Sequence, residues 1–375
     1  MLKIRPPFLP MEAQSVDALP RGREWQYEPK WDGFRCLTFR DGKRVELQSK
    51  SGKPLTRYFP EIAAAVAALK PGRFVLDGEI LMSDGNQLSF DALLQRIHPA
   101  KSRIDRLAAE TPAMVIVFDL LLDERGRSLV ALPLQERRKR LEAFSAKYLR
   151  AGGTLRLSPM TVSYREAERW LRNSKIGLDG VIAKERTAEY RSDDRSAMQK
   201  VKNYRSVDCV VGGFRHGTGS RLVGSLLLGL YDDDGKLNHV GFTATIRNTE
   251  RKALTERLEK LIGPPGFTGD APGGPSRWST ERSAQWKPLK SKLVVEVSFD
   301  HFSGGRFRHG TSLLRWRPDK SPRQCTYDQL KLGRGSPLRL LNAGRHVRRG
   351  SRARTRRARS RASSRISSGA GKRSA

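Results

Sequence analysis

In the stretch EPKWDGFR, Lys30 stands between the carboxylate of Glu28 and an Asp32-Gly33 turn, with Arg35 closing the run. A lysine amine is a nucleophile only once it has lost its proton, and neighbouring cations or a desolvated pocket ease that loss. The sequence supplies such cations in spaced clusters: Lys184 ending DGVIAK, Lys200 and Lys202 in QKVKN, and Arg315, Arg317 and Lys320 in RWRPDK. Strand alternation puts Lys200 and Lys202 on one face. Opposed to them are Glu28, Asp32, Glu79 and Asp179, at the ends of apolar runs where an ordinary core would not accept a carboxylate. Together these residues imply a nucleophilic lysine in a charged pocket. Each piece alone also fits a solvated turn, a strand end or the wet side of an edge strand.

The elements that must carry these residues are readable from pattern. Cys36 to Arg40 and Val45 to Ser49 flank the Asp41-Gly42 turn as a hairpin. Phe59 to Leu69 predicts a helix opened by Pro60 and ended by Pro71-Gly72. RFVLDGEILM, AMVIVFDLLL and DGVIAKE read as buried strands, and LQERRKRLEAFSAKYL and SYREAERWLRNS as charged amphipathic helices. After about Asn203 the pattern changes to short strands, SVDCVVGGFRHG, LVGSLLLGLYD, HVGFTATI and LVVEVSFDHF, with one helix in TERKALTERLEKLI. That is the texture of a small barrel with an inserted helix, and Gly263 to Pro275 reads as a surface loop within it.

The chain has 375 residues, enough for two domains and a tail. Its net charge of +33 favours a polyanionic partner such as nucleic acid. No apolar run is long enough to span a bilayer, and no basic amphipathic helix with a broad aromatic face suggests membrane binding. MLKIRPPFLP lacks the apolar core of a signal peptide, so a cytoplasmic, nucleoid-associated location is expected. Cys36, Cys209 and Cys325 are too few and too scattered for a disulfide framework or zinc site and are expected as buried small hydrophobes. The histidines are few and scattered, and no His/Cys cluster suggests a transition-metal enzyme or a Ser-His-Asp hydrolase. From Leu338 onward, segments such as RRGSRARTRRARSRASSR carry no acidic residue and little to bury, so 336–375 is expected to be a disordered basic tail that contacts phosphates or serves only as a solubilising segment.

The motifs, in order, resemble those of the ATP-dependent DNA ligases of the covalent nucleotidyltransferase superfamily, and most closely the compact bacterial ligases of the ligase C and ligase D type. KWDGFR resembles motif I, SKSGKPLTRYFPEI motif Ia, LDGEI motif III, VFDLLL motif IIIa, DGVIAK motif IV, QKVKNYRSVDCVVGGFRHG motif V and LRWRPDKSPRQCTYDQL motif VI. The likeness covers roughly residues 5 to 333. It implies an α+β chain: an adenylation (nucleotidyltransferase) domain of antiparallel sheets and helices over 1–204 and an OB-fold barrel over 205–335.

Carried over position by position, the resemblance implies that Lys30 attacks the α-phosphate of ATP to form lysyl-AMP. Glu28 would accept from the adenine amino group, Arg35 and Glu79 would hold the ribose, and Phe118 would stack on the purine or serve as core. Glu79 and Asp179 would bind a divalent metal, Mg²⁺ or Mn²⁺, while Lys184, Lys200 and Lys202 would contact phosphate oxygens. Arg317, Asp319 and Lys320 match the motif that closes over the nucleotide. Lys50, where the family usually has arginine, would touch the 5′-phosphate of a nick. Asp179 replaces the commoner glutamate, and Met198 an aromatic residue.

The implied substrate is nicked or broken duplex DNA, bound by a monomer acting in repair or recombination, either as a stand-alone nick sealer or with end-joining proteins. The core starts near the N-terminus, so no large preceding DNA-binding domain is expected. The alternatives are an RNA ligase or capping guanylyltransferase of the same superfamily, and a non-catalytic basic nucleic-acid-binding module.

Overall fold

The computed structural model describes residues 2–85, 87–173, 177–273, 285–331 and 335–341. It divides into two compact units, Val201–Gly333 being the second and the remainder of the chain the first.

In the first unit the strands are β1 (Gln14–Ser15), β2 (Trp25–Lys30), β3 (Phe34–Asp41), β4 (Arg44–Ser49), β5 (Arg73–Leu81), β6 (Ser83–Asp84), β7 (Gln87–Leu88), β8 (Met114–Leu122), β9 (Leu155–Leu157), β10 (Gly180–Glu185) and β11 (Met198–Lys202). The helices are α1 (Pro60–Ala67), α2 (Phe90–Arg96), α3 (Lys101–Glu110), α4 (Leu134–Tyr148) and α5 (Tyr164–Arg172). One sheet runs β4-β3-β5-β8-β9 and is antiparallel except for β8 with β9; a second runs β1-β11-β10-β2.

The expected hairpin is β3-β4, with Arg40 opposite Val45 and Gly42 at φ +62° in the turn. Proline stands at the first turn of α1, where its missing N–H costs nothing, and Ile62 and Val66, one turn apart, are its buried residues. Strand β8 is buried at every position, as its unbroken apolar run predicts. The one acid in that run, Asp119, is held by Arg137 of α4 through Nε and Nη2, both at 3.0 Å.

Helices α2 and α3 are additions to the sequence reading. Helix α2 is capped by Ser89, whose Oγ accepts from the backbone N–H of Ala92 at 3.2 Å. Arg96 at its end is fully buried; its Nη2 donates to Tyr58 O at 2.9 Å and Glu61 Oε2 at 2.8 Å, tying α2 to α1.

The second unit contains β12 (Arg205–His216), β13 (Val223–Tyr231), β14 (Leu237–Thr243), α6 (Arg251–Glu259), β15 (Lys287–Pro288), β16 (Val294–Phe299), β17 (Phe302–Ser303), β18 (Arg306–Phe307) and β19 (Ser312–Trp316). The main sheet runs β14-β13-β12-β16-β19, and a parallel bridge between Thr243 and Thr311 brings its two edges together. Five strands closed in this order, with a helix between the third and the fourth, form an OB-type barrel. The described part of the Gly263 loop adds Phe267, whose buried ring meets His239 at 5.3 Å and Trp286 at 5.5 Å. Cys36, Cys209 and Cys325 are free thiols and buried.

The expected start of the basic tail at residue 336 needs correction. Ser336 and Pro337 are buried, and Leu338, Leu340 and Leu341 pack on Trp31, Leu81, Met114 and Ile116 of the first unit. Apolar side chains that find an apolar face repay the cost of ordering the chain. Residues 342–375, on which the rest of the tail expectation falls, lie outside the described residues.

Gly33, in the turn after Lys30, has no room for a side chain: an added Cβ would lie 2.1 Å from Ile80 O. Gly33→Ala is therefore expected to cost about 1–3 kcal/mol of stability, measured by denaturant unfolding against wild type.

Candidate active site

A cleft in the first unit is lined by Glu28, Lys30, Trp31, Arg35, Lys50, Glu79, Phe118, Lys184 and Lys200, together with Ile182, Met198 and the segment Pro10–Ala13. The two sheets place these groups. Strands β2 and β10 pair antiparallel, with Glu28 opposite Ile182 and Lys30 opposite Gly180, so Asp179 follows directly at the Lys30 end. Arg35 lies opposite Glu79 across β3 and β5.

At one end Glu28 is 2% exposed. Its Oε1 accepts from Gln26 Nε2 at 2.9 Å and its Oε2 from Lys184 Nζ at 2.7 Å. Lys184 Nζ also lies 4.3 Å from the centre of the Phe118 ring. Alternation along β10 carries Lys184 to the Glu28 end, two strand positions beyond Ile182.

At the other end Lys30 forms an ion pair with Asp179. Burial alone would push the Lys30 amine down, but the Asp179 carboxylate, supported by Glu79 and Asp32, outweighs it and raises the pKa above the ordinary lysine value. Sequence reasoning set Lys30 among cations that would ease deprotonation; in the structure its strongest electrostatic partners are carboxylates. The cross-strand pairing of β2 and β10 decides this, and the sequence does not display it.

Between these ends, Arg35 donates to Asp77 through Nε and Nη2, both at 2.6 Å, and its guanidinium carbon lies 4.5 Å from the Phe118 ring centre. Asp77 is fully buried and also accepts from the Tyr190 hydroxyl at 2.7 Å; that same hydroxyl accepts from Met11 N at 3.1 Å. Burial raises the Glu79 carboxyl; although Arg35 and Lys30 pull it down, it stands at about 8. Lys50 pairs with Glu12 at 2.9 Å, and Glu12 with Arg195 at 2.8 Å.

The remaining sequence candidates lie at the end of β11, where the second unit begins, and in the second unit. Lys202 Nζ lies 2.7 Å from Asp300 Oδ2, an oxygen also 2.8 Å from His309 Nδ1. Arg317 forks to Asp319 at 2.8 Å and reaches Asp208 at 3.0 Å, and Lys320 meets Asp208 at 2.6 Å. Arg315 pairs with Glu296 at 2.7 Å.

Several participants were missed in the sequence. Asp77 had a signal, since it stands two residues from Glu79 on one strand and hence on the same face. Asp208 had the same kind of signal, as an acid inside the apolar run SVDCVV. Ile182, Trp31 and the Pro10–Ala13 segment had none.

Residues 7–202 match the family model described as the ATP dependent DNA ligase domain, and residues 219–320 that of the ATP dependent DNA ligase C terminal region. The chain belongs to the ATP-dependent DNA ligase family. This ligase is 45% identical over 349 residues to DNA ligase C2 of Mycolicibacterium smegmatis, covering 88% of this chain and 96% of that one. It is 43% identical to DNA ligase C of Mycobacterium tuberculosis, with 88% and 95% covered. A solved Lig E DNA ligase shares the fold at 17% identity, with a TM-score of 0.50 over 82% of this chain and 99% of that one. The ligase thus has a nucleotidyltransferase unit followed by an OB-fold unit. Among its described residues, no helix is long and apolar enough to cross a membrane.

The raised Glu79 carboxyl sets a pH dependence with a definite sign. Between its ordinary value of 4.5 and about 8 the folded protein holds a proton that the unfolded chain releases. Folding stability therefore falls as pH rises through that window. Glu79→Gln is expected to flatten this slope, measured by denaturant unfolding at several pH values.

Proposed function

We propose that this ligase joins DNA strands through a covalent Lys30-AMP intermediate. The observation that carries the reading is the convergence of Lys30, Glu79 and Asp179 at one end of a cleft whose other end holds Glu28, Phe118 and Lys184. That is the polarity a nucleotide needs, with the base at one end and the reacting phosphate at the other.

At the base end, Glu28 has acceptor capacity beyond its bonds to Gln26 and Lys184, and takes the adenine amino group. Lys184 pairs with Glu28 and steadies the Phe118 ring on which the purine stacks. Arg35, locked by Asp77, and Glu79 meet the ribose. Lys200 and Lys202 serve the phosphates, and Arg317, Asp319 and Lys320 orient the departing pyrophosphate. Lys50 receives the 5′-phosphate of the DNA; it carries the charge but not the planar fork of an arginine.

The carboxylates beside Lys30 are hard oxygen donors, the set that suits Mg²⁺ or Mn²⁺, and Asp179 with Glu79 would hold the ion. Such a cation supplies charge neutralisation around the phosphates.

In the first step Lys30 Nζ, its proton lost, attacks the α-phosphorus of ATP. A P–N bond forms, the bond to the β-phosphate bridge breaks, pyrophosphate leaves, and the attacking nitrogen sheds a second proton to solvent. Next an oxygen of the DNA 5′-phosphate attacks the same phosphorus, the P–N bond breaks, and Lys30 recovers a proton. The 3′-hydroxyl finally displaces AMP, losing its own proton as the phosphodiester forms. Nicked and broken duplexes present the same two ends, so end joining with partner proteins would use the same chemistry as the monomer sealing a nick.

The test is nick sealing on a DNA duplex with labelled ATP or labelled GTP, for wild type and Lys30→Ala. Wild type is expected to seal with ATP and carry label at Lys30, and Lys30→Ala to lose both. A GMP adduct without an AMP adduct would contradict the assignment.

A further inference from the structure

The stretch from Gly335 to Leu341 follows the second unit in sequence but packs on the first. Gln87 Nε2 donates to Gly335 O at 2.7 Å, and Ser336 Oγ accepts from Leu338 N at 3.3 Å to start the short turn Pro337–Arg339. Leu338, Leu340 and Leu341 face the apolar cluster of Trp31, Leu81, Met114 and Ile116, while Arg339 between them is exposed.

Of that cluster, Trp31 also lines the cleft. Trp31 follows Lys30 directly, and its Nε1 donates to Ser158 Oγ at 3.0 Å. Leu81 stands two residues beyond Glu79 on β5, and Ile116 two residues before Phe118 on β8. Leu81 shares the sheet face of Glu79 by alternation, and Ile116 lies directly opposite Glu79 across β5 and β8. Each of these three contacts is therefore one or two residues from Lys30, Glu79 or Phe118. The segment also lies beyond residue 320, where the family-model match ends.

We propose that residues 335–341 form a clasp that positions Lys30 for self-adenylation, by fixing Trp31, which lines the cleft, against Leu81, Met114 and Ile116. The proposal rests on the reading of Lys30 as the nucleophile. The residues of the clasp are positioning residues, acting through Trp31.

The experiment compares two rates in the full-length ligase: adenylyl transfer from ATP to the protein, followed by mass spectrometry, and sealing of a nick already carrying 5′-AMP. In the second reaction Lys30 is not the nucleophile. Leu340→Asp is expected to slow self-adenylation about tenfold or more and to leave pre-adenylated sealing within about twofold. Leu338→Ala should act in the same direction more weakly, Leu340→Met should restore the first rate, and Arg339→Ser should change neither. An equal loss of both rates, or no loss of the first, overturns the clasp. Absence of any adduct on wild-type Lys30 would instead bring down the nucleophile reading and the clasp with it.

Discussion

The ion pair between Lys30 and Asp179 is the constraint around which the first unit is arranged. It is made by a single pairing of neighbouring strands, Lys30 opposite Gly180, and it holds the reactive amine as an ammonium ion. An amine so paired does not react with phosphorus until Asp179 is drawn away from it. On the proposed reading, a polyphosphate with its counter-cation would suit that exchange, the cation drawing on the carboxylate and the phosphates on the neighbouring lysines. Nucleophilicity would thereby be tied to the arrival of the reactant.

The same arrangement recurs at several other cations given a role. Lys184 rests on Glu28, Arg35 on Asp77, Lys202 on Asp300, and Arg317 and Lys320 on Asp208. Buried ion pairs contribute little net stability, because desolvation cancels much of their attraction. Their value here is geometric: a long side chain is held in one rotamer. With a net charge of +33, the chain has cations enough to attract DNA over a distance. The few buried acids decide which cations are fixed in place.

Much of this was legible in the sequence, for identifiable reasons. Strands β5, β8 and β10 announce themselves as β-rich apolar runs, and α1 by its opening proline, since local propensity and burial agree there. Lys30, Glu28, Glu79 and Asp179 stood out because a charge at the end of a buried run requires a partner. Which partner it finds is a matter of strand register, a long-range property, and so the pairing of Lys184 with Glu28 went unread. Helices α2 and α3 were missed because the burial that fixes them is spread over few residues, chiefly Leu93, Arg96 and Ile104. The packing of Leu338 to Leu341 was hidden by a composition that reads as tail, although three leucines meet an apolar face there.

The central claim is that Asp179 controls the protonation of the nucleophile. The direct measurement is the pKa of the Lys30 amine by NMR, on nucleotide-free wild type and Asp179→Asn labelled at lysine. The account predicts a wild-type value above that of ordinary lysines and a clear fall in Asp179→Asn, where burial acts unopposed by that charge. A Lys30 amine that titrates below the ordinary lysine range in wild type, or that does not respond to the substitution, would contradict it.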